Sequence, residues 1–82
     1  GVDGIDPEFG LTTPDPLEAE LNALMIRVSR EVVAATDSSK FGRRSLSVIA
    51  PIRSLHRIIT DKDAAPETVE VMRELGLEVV VV

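Results

Sequence analysis

An apolar run, Val32-Val33-Ala34-Ala35, gives way within two residues to DSSKFGRR, Asp37 to Arg44. Consecutive apolar positions read as a buried strand, Val32 to Thr36, of the kind that helices cover on both faces in parallel sheets. The loop leaving the carboxyl end of such a strand is where open α/β sheets bind their ligands. This loop carries one carboxylate, two hydroxyls, a lysine, a glycine and two arginines in eight positions. Such donors suit an anionic, hydroxyl-bearing ligand, a sugar phosphate before any other small molecule.

The rest of the chain reads as alternating elements. Residues 1 to 14, GVDGIDPEFGLTTP, are rich in Gly, Pro, Asp and Thr and read as a loop. Asp15 is placed as an N-cap, Pro16 at the first helical position, and Glu18 completes a capping-box-like spacing. Leu17, Leu21, Leu24, Met25 and Val28 form one stripe, so this helix is expected to pack that stripe on a sheet and to end near Arg30. Leu46, Val48 and Ala50 then alternate with Ser45, Ser47 and Ile49 in a short strand that stops at Pro51. After a turn at Ile52 to His56, Arg57 to Thr60 forms another strand and Asp61-Lys62-Asp63 opens a solvated loop. Pro66 starts a second helix with Val69, Met72 and Leu75 spaced by three and Gly76 past its C-cap; Val79 to Val82 is a last strand.

This order predicts an α/β fold with a partly parallel sheet and flanking helices, because helical crossovers join strands in parallel. Polar loops then gather at one edge. The Gly1–Gly4 segment and the Asp37 loop are expected to meet there if a strand ahead of Gly1 neighbours Val32 to Thr36. Both chain ends read as cut from a longer polypeptide, with a natural carboxyl terminus just beyond Val82 as the alternative at that end.

Composition narrows the function classes. A chain of 82 residues buries only about 60 to 65% of its unfolded surface, a thin margin for stability. Phe9 and Phe41 are its only aromatic residues, so the core is expected to be aliphatic. The absence of cysteine excludes disulfides and thiolate metal sites, and a single histidine, His56, excludes a multi-histidine site. No 18-residue apolar stretch and no secretory signal are present, which leads to the expectation of a soluble, cytoplasmic chain away from membranes. The net charge of −5 is uneven: positions 27 to 57 carry +5 and the two flanks together −10. Overall acidity and the lack of stacking aromatics argue against nucleic-acid binding by these residues themselves.

The ordered series GVDGID, GLTTPD, VVAATDSSKFGRRSL, API, IITD and GLEVVVV resembles the carboxyl-terminal half of the sensor domain of DeoR-type bacterial transcriptional repressors of sugar metabolism. The likeness runs nearly end to end. It implies a fold similar to ribose-5-phosphate isomerase and the sugar-phosphate deaminases, an incomplete Rossmann-like sensor domain, with catalysis given up and ligand binding retained. It also implies that residues 1–82 are the later part of that domain. The first half of the domain, with further ligand loops, and the winged helix-turn-helix before it then lie outside this chain. Asp3 falls where the related isomerases hold a catalytic acid, but Gly4 follows in place of their glutamate, which weakens an enzyme reading. Asp37 and Lys40 match the residues the family links to inducer response.

The candidate ligand residues are therefore Asp3, Gly4, Thr12, Thr13, Asp37, Ser39, Lys40 and Arg43, with no catalytic residue, metal ligand or cofactor. Several have a second, structural reading. Asp37 also suits a turn cap, Asp3 a turn, and Thr12 and Thr13 the capping of the following helix. Of Arg43 and Arg44, one is expected at phosphate while the other pairs with an acidic flank residue. His56 reads as a surface residue rather than a base. The expected function is effector sensing: a phosphorylated sugar alters the arrangement of sensor domains in a homo-oligomer, and so operator binding by the absent amino-terminal domain. The rivals are a sugar-phosphate isomerase or deaminase fragment, and an assembly fragment whose ligand sites lie elsewhere.

Overall fold

The computed structural model describes residues 2–82; Gly1, the first residue of the GVDG segment, lies outside them. In chain order the elements are β1 (Gly4–Asp6), β2 (Gly10–Thr13), α1 (Pro16–Val28), β3 (Val33–Ala35), β4 (Ser47–Ala50), β5 (Arg57–Thr60), α2 (Pro66–Glu74) and β6 (Glu78–Val81). Single 3-10 turns lie at Ser38–Lys40 and Ile52–Ser54.

Asp6 decides how the chain begins. Its Oδ2 accepts hydrogen bonds from the amides of Glu8 (2.9 Å) and Phe9 (2.8 Å), a local turn of the kind Asp favours. That turn folds the residues read as a loop into a hairpin, with Gly4 opposite Thr12 and Asp6 opposite Gly10. The Gly, Pro and Asp residues that signalled a loop are its turn, and its strands are three and four residues long. β2 also pairs antiparallel with β4, completing a sheet in the order β1-β2-β4.

The other sheet is parallel, in the order β3-β5-β6. Val33 aligns with Arg57, Ile58 with Val79, and α2 makes the crossover between β5 and β6. The fold is thus α/β with a partly parallel arrangement, as expected, although parallel and antiparallel strands occupy separate sheets. The core is aliphatic: Ile5, Leu11, Ile49, Ile52, Leu55, Ile58, Met72, Leu77 and Val79 are buried, with Phe41 packed against them. Each large side chain in it contributes about 1.5–3 kcal/mol relative to exposure.

The second helix follows the sequence reading. Pro66 begins it, Val69 and Met72 are buried, Leu75 is its C-cap, and Gly76 follows at φ 95°. Arg57 to Thr60 is a strand with the expected bounds. Asp15 caps α1, accepting from Leu17 N at 2.9 Å.

Two packing expectations are corrected. The stripe Leu17, Leu21, Leu24, Met25 and Val28 is exposed rather than packed on a sheet. The face of α1 turned to β2 and β4 carries Ala19, Ala23 and Ile26, two of them small enough to let the helix lie close. The strand at Val32 to Thr36 is shortened to Val33–Ala35 and is not buried, its three residues being exposed, half-buried and exposed. Among the described residues it is an outer strand, and α1 and α2 pack on other strands.

Candidate functional site

The site grows from the carboxyl end of β3. Thr36 N donates to Ile59 O (3.0 Å), the last rung beside β5, and the chain then turns at Asp37. The Asp37 carboxylate accepts from Ser39 N (3.0 Å) and from the Ser39 hydroxyl, capping the 3-10 turn that ends in Lys40. The amide just before, Ser38 N, donates to Asp61 Oδ2 at 2.9 Å. The turn is therefore held by two carboxylates, one from its own loop and one from the end of β5.

After Lys40 the chain runs beside β1. Phe41 pairs with Ile5, and Gly42 N donates to Ile5 O at 2.8 Å. Gly42 adopts φ +78°, a left-handed conformation that glycine takes without steric cost. This brings the Arg43 carbonyl directly against Gly4, where a Cβ on Gly4 would collide with that oxygen and lie 2.6 Å from Thr12 Oγ1. The Gly4 and Asp37 segments do meet, as expected, but by another route. The loop lies alongside β1, whereas β1 and β3 belong to different sheets.

Ser45 fastens this arrangement. Its amide donates to Thr12 Oγ1 (2.9 Å), and its hydroxyl donates to Asp3 Oδ2 (2.6 Å). The Asp3 carboxylate then faces Arg43 Nη2 at 3.4 Å and Lys40 Nζ at 3.9 Å. The Ser45 hydrogen bond first, then Arg43 and Lys40, hold the Asp3 carboxyl below the usual carboxylate range. The bond from the Ser39 hydroxyl does the same for Asp37. Ion pairs this long, on side chains 27% (Lys40), 52% (Arg43) and 29% (Asp3) exposed, are weak and screened by salt. Both cations thus stay available to another anion.

The neighbouring arginine differs in having an aromatic partner beside its equally long ion pairs. Arg44 lies 3.7 Å from Asp6 and 3.8 Å from Glu8, and its guanidinium stacks 3.8 Å over the centre of the Phe9 ring. Arg44 thus pairs with acidic residues of the amino-terminal flank, as one of the two arginines was expected to do.

Of the candidate residues, Asp3, Lys40 and Arg43 converge at one polar surface, and Gly4 permits their approach. Asp37 and Ser39 bond each other and shape the turn carrying Lys40. Thr12 and Thr13 are 1% and 2% exposed on β2, so neither presents its side chain to a ligand, and the cap of α1 is Asp15 rather than either threonine. Thr12 instead accepts the Ser45 amide. Sequence reasoning did not single out Ser45 or Asp61, whose partners lie 42 and 23 positions away. His56 is exposed, and its Nδ1 accepts from Val32 N at 2.9 Å, a structural bond remote from the cluster in sequence. Among the described residues no group of three His, Asp or Glu side chains is placed to hold a metal ion, and no helix is long and apolar enough to cross a membrane.

Residues 1–62 match the model of the DeoR C terminal sensor domain. The whole chain is 40% identical to a putative aga operon transcriptional repressor of Escherichia coli O157:H7, covering 30% of that protein. Over 98% of its length it is 36% identical to the HTH-type transcriptional regulator GlpR of Haloferax volcanii, covering 31% of it. Over 92% it is 35% identical to the glycerol-3-phosphate regulon repressor of Escherichia coli K12, covering 29% of it. The chain thus spans about three tenths of the length of these relatives.

Proposed function

Since the chain belongs to the DeoR C-terminal sensor domain family, we propose that the Asp3–Lys40–Arg43 cluster binds the phosphate of a phosphorylated sugar and serves as the effector site of a transcriptional repressor. The observation that carries this is the convergence of two cations on one weakly paired carboxylate, beside hydroxyl groups, where the Asp37 loop meets β1. The phosphate displaces Asp3 as counter-ion of Lys40 and Arg43, and Asp3, still held by Ser45, accepts a sugar hydroxyl. Binding then biases the arrangement of sensor domains in a homo-oligomer by its differential affinity for two arrangements. Operator DNA is contacted by a helix-turn-helix domain outside these 82 residues, in the cytoplasm.

The relative named as the glycerol-3-phosphate regulon repressor supports a phosphorylated polyol or carbohydrate as ligand. The isomerase or deaminase alternative is not favoured, since these relatives are named as repressors. Position 4 also has no room for the glutamate that the resemblance associates with the enzymes, because even a Cβ collides with the Arg43 carbonyl.

Thermal-shift titration of the natural-length protein with glucosamine 6-phosphate, ribose 5-phosphate and glycerol 3-phosphate tests this reading. At least one should raise the melting temperature in a concentration-dependent way, by linkage to the folded state. No response to any phosphorylated compound removes it.

A further inference from the structure

Asp61 closes the IITD motif at the end of β5, and nothing in the ligand chemistry above uses it. Its placement follows from the parallel pairing of β3 with β5, which sets the two carboxyl ends side by side, Ala35 opposite Ile59. Asp61 Oδ2 accepts from Ser38 N and Oδ1 from Asp63 N, each at 2.9 Å. One carboxylate thereby joins the loop after β3 to the loop after β5. Asp37 takes the next amide, Ser39 N, and the Asp37 carbonyl takes Lys40 N at 3.3 Å. Every amide at the start of the 3-10 turn has a protein acceptor, so the turn offers an anion no backbone donors, and the cations Lys40 and Arg43 must supply the attraction.

We infer that Asp61 is a positioning residue for the effector site: through the Ser38 amide it sets the turn that carries Lys40 toward Asp3. This rests on the site assignment under Proposed function, and it makes a prediction opposite in sign to simple electrostatics. Removing a carboxylate from the neighbourhood of Lys40 should, by Coulomb attraction alone, tighten the binding of an anion. If Asp61 positions the turn, Asp61→Ala weakens binding instead, because the loop occupies its competent arrangement less often. A fall to about one tenth in that population lowers apparent affinity about tenfold. Asp61→Asn keeps one oxygen acceptor, which serves Ser38 N while the Asp63 amide turns to water, removes the charge, and restores affinity.

The experiment uses the natural-length protein in its wild-type, Asp61→Ala and Asp61→Asn forms. Amide hydrogen exchange is measured at Ser38 and Lys40 without ligand, and calorimetric affinity with glucosamine 6-phosphate, ribose 5-phosphate and glycerol 3-phosphate. The inference expects faster exchange at both amides in Asp61→Ala, wild-type exchange in Asp61→Asn, and weaker binding only in Asp61→Ala. Unchanged exchange in Asp61→Ala, or binding as tight as wild type or tighter, overturns it. If the wild type binds none of the probes, the effector reading falls, while the exchange data still decide whether Asp61 holds the turn. Should Asp61→Ala fail to fold, Asp61→Asn and the protection of the Ser38 amide in the wild type decide: a Ser38 amide that exchanges as fast as a free loop amide refutes the brace.

Discussion

The two walls of the proposed site are built differently. On one side, β1 and β2 are buried along their whole length, and Gly4, Thr12 and Ser45 fit together with no space for an added methyl group at position 4. On the other, the Asp37 loop leaves a strand that is outermost among the described residues and half-buried or exposed, and two carboxylates hold its 3-10 turn. The first wall is fixed by packing and the second by side-chain hydrogen bonds, that to Asp61 part-buried and those to Asp37 exposed. A binding site assembled this way has a rigid reference, Asp3, and an adjustable arm, Lys40. Low-stability loops on rigid scaffolds are where ligand-driven rearrangement is expected.

Substitutions on the two sides should therefore separate stability from binding. The largest stability loss is expected in the shared core: Ile58→Ala, at a fully buried position between β3 and β6, should cost about 2–5 kcal/mol, measured by urea denaturation. Gly4→Ala forces a Cβ against the Arg43 carbonyl and should cost about 1–3 kcal/mol, as overpacking does. It should also weaken effector binding, since the loop must move off β1. Thr12→Val keeps the shape but leaves Ser45 N without its acceptor, again about 1–3 kcal/mol. By contrast, Lys40→Ala should leave the urea midpoint near that of the wild type. If Lys40→Ala destabilised the protein as much as Gly4→Ala, the contrast between the walls would be wrong.

Acid sharpens the same contrast with a smaller effect. Asp3, Asp37 and Asp61 are each held below the ordinary carboxyl value of 3.8. A carboxyl with a lower value folded than unfolded binds more protons when unfolded, so its stabilisation is complete above about pH 4 and is lost as pH falls through the depressed values. Urea midpoints measured from pH 6 down to pH 2 should decline below pH 4, and less steeply in Asp61→Asn. An equal decline in that variant would deny Asp61 its share.

Much of this was legible in the sequence, and the failures have physical causes. α2, β5 and the Asp15 cap were readable because their signals are local: a proline start, a three-residue spacing, a side chain bonding the amide two positions on. The β1–β2 hairpin was missed because strands of three and four residues show no periodicity beside a turn as strongly marked as Asp6 to Gly10. In α1 the sequence reveals an apolar stripe but not what covers it, and the sheet receives Ala19 and Ala23 while the leucines face outward. The apolar run before the Asp37 loop promised burial, but burial depends on neighbouring elements rather than on the strand's own composition. Asp37, Lys40 and Arg43 of the proposed site stood out by their chemistry within one loop. Ser45 and Asp61 were not, because each acts on a residue distant in sequence; the one available signal for Asp61 was an acid closing a strand that a parallel sheet places beside the Asp37 loop.

In the proposed site Lys40 and Arg43 bind the effector phosphate, while Arg44, engaged with Asp6, Glu8 and Phe9, does not. Isothermal titration of wild-type, Lys40→Ala, Arg43→Ala and Arg44→Ala natural-length protein, with the sugar phosphate that stabilises the wild type most, tests it directly. Losing a charge-assisted contact should weaken binding roughly tenfold or more in the first two variants, with Arg44→Ala within about twofold of wild type. Unchanged affinity in Lys40→Ala and Arg43→Ala, or a loss confined to Arg44→Ala, would place the phosphate elsewhere.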